Sequence, residues 1–135
     1  MPLIEIGDCY ERQWPGEEKR HLWVTITRPI PELEGVAVTV SLTTERGISD
    51  TTTRLRVGDH PYIDRPTVVS YMDARLVPIK PLELAIAAKA LELRERFDME
   101  LVKEFQRGLM VSAETPKKVQ PTYTLAVSMN LHLPE

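Results

Sequence analysis

Apolar positions along the chain follow two rhythms, and the change comes near Pro78. Before it, short runs rich in β-branched and aromatic residues are separated by proline and glycine, which is the pattern of strands and turns. Leu3 to Tyr10, with Gly7-Asp8 inside it, predicts a short opening strand that leads to a turn at Trp14-Pro15-Gly16. Leu22 to Thr27 predicts the next strand, which stops at Arg28-Pro29 where proline removes a ladder donor. A loop from Ile30 to Gly35 follows, and Val36 to Leu42, with valines at every second position, predicts a central strand. Asp50 to Val57 reads as another strand, broken by Gly58 to Tyr62. Thr67 to Tyr71 reads as a fifth that leads on to Val77. Five short strands with loops between them predict a small barrel over residues 1–77.

After Pro78 the period lengthens. Leu82, Ile86, Ala90, Leu93 and Phe97 recur at three- and four-residue spacing, so residues 81–108 predict an amphipathic helical segment. Asp98 is suited to cap a second helical piece carrying Leu101, Val102 and Phe105, with Gly108 at its end; one bent helix is the alternative. From Tyr123 the rhythm returns to two: Leu125, Val127, Met129, Leu131 and Leu133 alternate with polar or small residues. Residues 122–133 therefore predict an additional C-terminal β-strand, added to this chain's own sheet or to a neighbouring subunit's. The expected class is mainly β with a C-terminal helix, in a single domain over 1–135.

Composition narrows the class. The chain has 135 residues, enough for one core, with 42% hydrophobic and 27% charged residues, an ordinary globular balance. A net charge of −3 argues against a polycation that coats nucleic acid, yet leaves room for a local basic site. The single cysteine, Cys9, permits no internal disulfide, and no Cys/His spacing suits a metal; a cytoplasmic protein without metal or cofactor is the expectation. No stretch approaches the roughly 18 apolar residues of a membrane span.

Two strands end in polar clusters: Glu17-Glu18-Lys19-Arg20-His21 before one, Thr43-Thr44-Glu45-Arg46 after the other. If those strands pair, the clusters meet at one rim of a sheet. The order of Gly7-Asp8-Cys9-Tyr10, Arg20-His21-Leu22-Trp23-Val24, Val36 to Leu42 with Thr43-Thr44, and Val68 to Arg75 resembles the MazF/PemK (CcdB-like) family of toxins over roughly residues 7–77. His21 stands where that family usually has proline, and so does Ser41. The segment Gly58 to Pro66 has no clear counterpart. The resemblance implies an SH3-like barrel with C-terminal helical structure, usually a homodimer. Many of its members cleave single-stranded RNA without a metal and are held inactive by a cognate antitoxin protein.

Metal-free RNA cleavage needs a base for the 2′-hydroxyl, an acid for the leaving 5′-oxygen and donors on the phosphorane oxygens. Arg20 suits the last role, because a planar guanidinium stays charged and matches phosphate oxygens. The family pattern makes Thr43 a hydroxyl donor, with Thr44 as its substitute. His21 or His60 is suited to act as base near neutral pH, oriented by Glu45 or Glu18. An exposed Trp14 is suited to stack on a base of the substrate. Each residue also has a plain structural reading: an ion pair of Arg20 with Glu17 or Glu18, a turn hydroxyl for Thr43, and loop shaping by His60 before Pro61. A non-catalytic SH3-like binding module is the alternative function.

Overall fold

The computed structural model describes residues 4–135. Its centre is a curled antiparallel sheet of six strands, joined by three helices, so the chain is mixed β and α. The strands are β1 (Cys9–Arg12), β2 (His21–Thr25), β3 (Val36–Thr44), β4 (Arg54–Leu55), β5 (Thr67–Pro78) and β6 (Leu93–Arg94), in the spatial order β4-β5-β3-β2-β1-β6. β3 is central, as its valine alternation predicts. Its register against β5 shifts between Thr39 and Ser41, which leaves extra residues on β5 opposite Val40. Such a bulge bends the strand and increases its twist, and here it curls the sheet.

Both faces of the sheet are covered. On one, Leu22, Val24, Val38, Val40 and Leu42 pack with Val102, Phe105 and Leu109 of α2 (Met99–Val111). On the other, Tyr10, Trp23, Ala37 and Val77 pack with Ile79 and Leu82 of α1 (Ile79–Ala87). Burying side chains such as Phe105 and Leu109 completely contributes about 1.5–3 kcal/mol each. Polar ties fix α2 in place: the Tyr71 hydroxyl donates to the Phe105 carbonyl at 3.0 Å and lies 2.7 Å from the Thr53 hydroxyl. The Gln106 amide donates to the carbonyls of Ile26 and His132.

Four expectations need correction. Of the opening strand expected over Leu3 to Tyr10, Leu3 lies outside the described residues, and among those described the strand begins at Cys9, after a turn in which Gly7 has φ +92°. A side chain at Gly7 would meet the Phe97 carbonyl at 2.6 Å, so the close approach also excludes one. The strand expected over Asp50 to Val57 is only Arg54–Leu55, because Asp50 instead accepts the backbone N–H of Thr52 in a side-chain turn.

The segment 81–108 is neither one helix nor two abutting ones. α1 ends at Ala87, just before Lys89 takes a left-handed φ of 61°. Leu93–Arg94 then pairs with Cys9 and Tyr10, satisfying backbone groups on the edge of β1. Asp98 does cap α2, its carboxylate accepting the Leu101 N–H at 3.0 Å, while Gly108 lies inside that helix rather than at its end.

The C-terminal strand expected over 122–133 is a helix, α3 (Val119–Ser128). Val119, Tyr123 and Ala126 are buried at helical spacing, and Pro121 occupies the first turn, where its missing N–H costs nothing. Beyond Asn130, at φ 58°, the chain turns back. There the Arg28 N–H donates to the Leu131 carbonyl at 2.7 Å, and the Arg28 guanidinium donates to the carbonyls of Asn130 and Leu133. Ile30, Ala126 and Leu131 close a small apolar cluster at this end.

Among the described residues, no helix is long and apolar enough to cross a membrane.

Candidate functional site: a basic groove at the strand ends

β1 and β2 pair with Arg12 opposite His21, and β2 and β3 pair with Leu22 opposite Leu42. One step further along the second register, His21 stands across from Thr43. Arg12, His21 and Thr43 thus form a cross-strand row on one face, where neighbouring Cβ atoms sit about 5 Å apart. Arg20 precedes β2 in a coil segment and reaches the same rim.

A groove of about 470 Å³ opens there, and Arg20, His21, Thr43 and Thr44 all line it. The structure therefore gathers the two polar clusters. Lys19 and Arg46 come from the same clusters, and Arg65 joins them from the loop before β5. Only Glu11 and Asp64 oppose these cations, and Asp64 is held by its neighbour Arg65 at 3.0 Å.

The groove's central groups are free to meet a ligand. Arg20 makes no ion pair with Glu17 or Glu18; a Glu17 carboxylate oxygen accepts the Trp14 N–H at 2.8 Å instead. Neither the His21 ring nor the hydroxyls of Thr43 and Thr44 have a hydrogen-bond partner among the described residues. Thr43 lies within β3, so it is not a turn hydroxyl bonding its own backbone.

Glu11 sits at the floor's edge. The Tyr62 hydroxyl donates to it, Arg94 donates at 2.9 Å, and these bonds with the nearby charge of Arg20 lower its pKa. Burial, and then the bond to Glu11, pushes the Tyr62 phenol up to about 12, so it keeps its proton at neutral pH.

Three expected site residues stand elsewhere. His60 is a core residue: it is 4% exposed and stacks on Phe97 with ring centres 4.0 Å apart. Its Nδ1 accepts the Tyr62 N–H at 3.0 Å while Nε2 lies 2.5 Å from the Glu95 carbonyl. With both nitrogens occupied inside the protein, it is neither a base nor a substrate contact. Glu45 is clamped by both arms of the Arg54 guanidinium, at 3.1 and 3.2 Å, and so does not orient a histidine. Trp14 lies edge-on to Trp23, with Arg12 over its ring at 4.0 Å and Arg75 at 5.0 Å, in a neighbouring hollow.

Arg65, Tyr62 and Glu11 were not singled out by the sequence as site residues. The first two sit in the Gly58–Pro66 loop, and only the folding of that loop over β3 brings them to the rim. Cys9 is no candidate nucleophile: burial first, then the Asp8 carboxylate, raises its thiol to about 12. Among the described residues, no group of three or more His, Cys, Asp and Glu side chains is arranged to hold a metal ion.

No family model, curated protein or solved structure matches this chain.

Proposed function

We propose that the groove binds the backbone of single-stranded RNA and cleaves it, in the manner of the MazF/PemK toxins that the sequence resembles. One observation carries this reading: the side chains of Arg20, His21, Thr43 and Thr44 line a single groove without a hydrogen bond or ion pair among the described residues, near three further cations. Cations that outnumber the two carboxylates of the groove, beside hydroxyls with no protein partner, suit phosphate oxygens.

In the proposed step, neutral His21 takes the proton from a ribose 2′-hydroxyl, and the 2′-oxygen attacks the adjoining phosphorus. The bond from phosphorus to the 5′-oxygen breaks, leaving a 2′,3′-cyclic phosphate and a 5′-hydroxyl. Arg20 and Thr43 donate to the non-bridging oxygens as charge builds on them. The departing 5′-oxygen takes its proton from water in the groove, because the Tyr62 phenol is raised to about 12 and its hydroxyl is bonded to Glu11. DNA lacks the attacking hydroxyl and is bound without being cut.

The resemblance adds an SH3-like barrel, a homodimer and a cognate antitoxin to this reading. The curled sheet supports the first. A short acidic-tailed reading frame immediately upstream of the gene would support the last.

The test is cleavage of single-stranded RNA in the presence of EDTA by the protein and by Arg20→Ala, each expressed under tight induction. Cleavage by the first and a loss of about 100-fold or more in the second is expected. If both leave RNA intact and neither slows growth, the nuclease reading fails. RNA that is bound but never cut would favour the binding-module alternative.

A further inference from the structure

Arg20 and Glu11 line two hollows at once. The second, of about 620 Å³, lies beyond the β1–β2 turn and has an apolar side of Trp14, Pro15, Ala85, Ala90 and Leu91. The basic groove therefore does not end at Arg20. It continues into a compartment of different chemistry, one side phosphate-like in its demands and the other suited to a flat, partly apolar group.

Arg12 lines this second hollow together with Glu11, Gln13, Glu17 and Arg20. Its guanidinium carbon lies over the Trp14 ring at 4.0 Å, a cation–π contact, and no carboxylate pairs with it among the described residues. Its backbone is the register partner of His21. A guanidinium in contact with an indole and without a carboxylate partner keeps its N–H donors for a ligand. That combination recognises nucleobases in unpaired RNA. The Trp14 indole N–H is also buried without an acceptor.

Resting on the reading of the groove as an RNA site, we propose that this hollow is a nucleobase subsite. It takes the base next to the phosphate held at Arg20, and Arg12 reads that base. The preferred occupant is a purine with acceptors on its Hoogsteen edge, as guanine has, because these match the guanidinium fork. Trp14 acts as a positioning residue that holds the Arg12 fork at the hollow through their ring contact.

The experiment uses short, labelled 2′-O-methyl oligoribonucleotides, in which the attacking hydroxyl is blocked, so that binding is measured without cleavage. In a set of oligomers, each position in turn is made abasic or replaced by each of the four bases, and fluorescence anisotropy gives the affinity. One position is expected to matter most, with an abasic substitution there weakening binding about tenfold and guanine preferred. Arg12→Ala should flatten that dependence, while Arg12→Lys, which keeps the charge, should restore overall affinity but not the base preference. Trp14→Phe should weaken the preference in part. If the wild type binds but every position is equivalent, or if Arg12→Ala and Arg12→Lys both keep the wild-type preference, the subsite is refuted and the phosphate groove stands. If the wild type binds none of the oligomers, the subsite and the RNA reading fall together.

Discussion

His21 stands across from Thr43, one register step past the Leu22–Leu42 pair, and both line the groove that Arg20 enters from the preceding coil. The strands that carry them are held together by the backbone pairing of Leu22–Thr25 with Thr39–Leu42, and neither side chain has a hydrogen-bond partner among the described residues, which leaves an imidazole and a hydroxyl both open to a ligand. Replacing His21 by Ala should lower RNA cleavage by about 100-fold or more while changing RNA affinity only a few-fold. His60→Ala should do the reverse: it removes a buried stacked ring and costs about 2–3 kcal/mol of stability, with RNA affinity unchanged. Urea melts and single-turnover cleavage separate the two. A His60 variant that folds normally yet loses cleavage would overturn the assignment.

The cations around the groove should act through phosphate. Arg46→Ala and Arg65→Ala should each weaken single-stranded RNA binding several-fold, whatever the sequence, and each should reduce the slope of log K against log salt by about 0.7. Arg56→Ala, outside the groove, serves as the control with an unchanged slope.

Stability should fall in alkali. The folded Cys9 thiol keeps its proton up to about 12, whereas an unfolded thiol releases it near 9.0. Between those values unfolding releases a proton, so raising the pH favours the unfolded chain. Burial raises the phenols of Tyr10 and Tyr71 too, and they act with the same sign. Denaturant melts from pH 7 to 10.5 should show a steady loss, of which Cys9→Ala removes about 1–2 kcal/mol at the upper end.

Gly108 has no room for a side chain. A Cβ there would run into the hydroxyls of Tyr71 and Thr53, which are bonded to each other between β5 and α2. Gly108→Ala should therefore destabilise by about 2–3 kcal/mol, although alanine is the better helix former. A stabilised variant in urea melts would contradict this packing.

The helical C-terminus has a test of sign. Thr124 is exposed on α3 and its hydroxyl donates to the Gln120 carbonyl. Thr124→Ala should leave stability unchanged or raise it by about 0.5 kcal/mol in a helix, and should lower it in a strand, where threonine is favoured. Chemical denaturation decides between them.

Local patterns sufficed where one interaction dominates. The alternation in Val36–Leu42 specified a central strand, Asp98 specified a helix start through its own carboxylate, and the polar clusters after Leu42 and before Leu22 marked the rim where the candidate site lies. Tertiary structure decided the rest. Tyr123, Val127 and Leu131 fit a period of two and a period of four alike, and the surroundings chose: Val119, Tyr123 and Ala126 could be buried together only on a helix, with Ile30 and Arg28 waiting to receive its end. Leu93 left the helical pattern because the edge of β1 offered unpaired backbone groups. His60 became core because Phe97, Glu95 and Tyr62 folded around it, and Arg65 and Tyr62 reached the groove because their loop closed over it. Periodicity reports how one segment divides between core and solvent. It carries no information about which distant segment supplies that core or which loop covers that rim, and those partners are fixed only when the whole chain satisfies its burial and hydrogen bonds together.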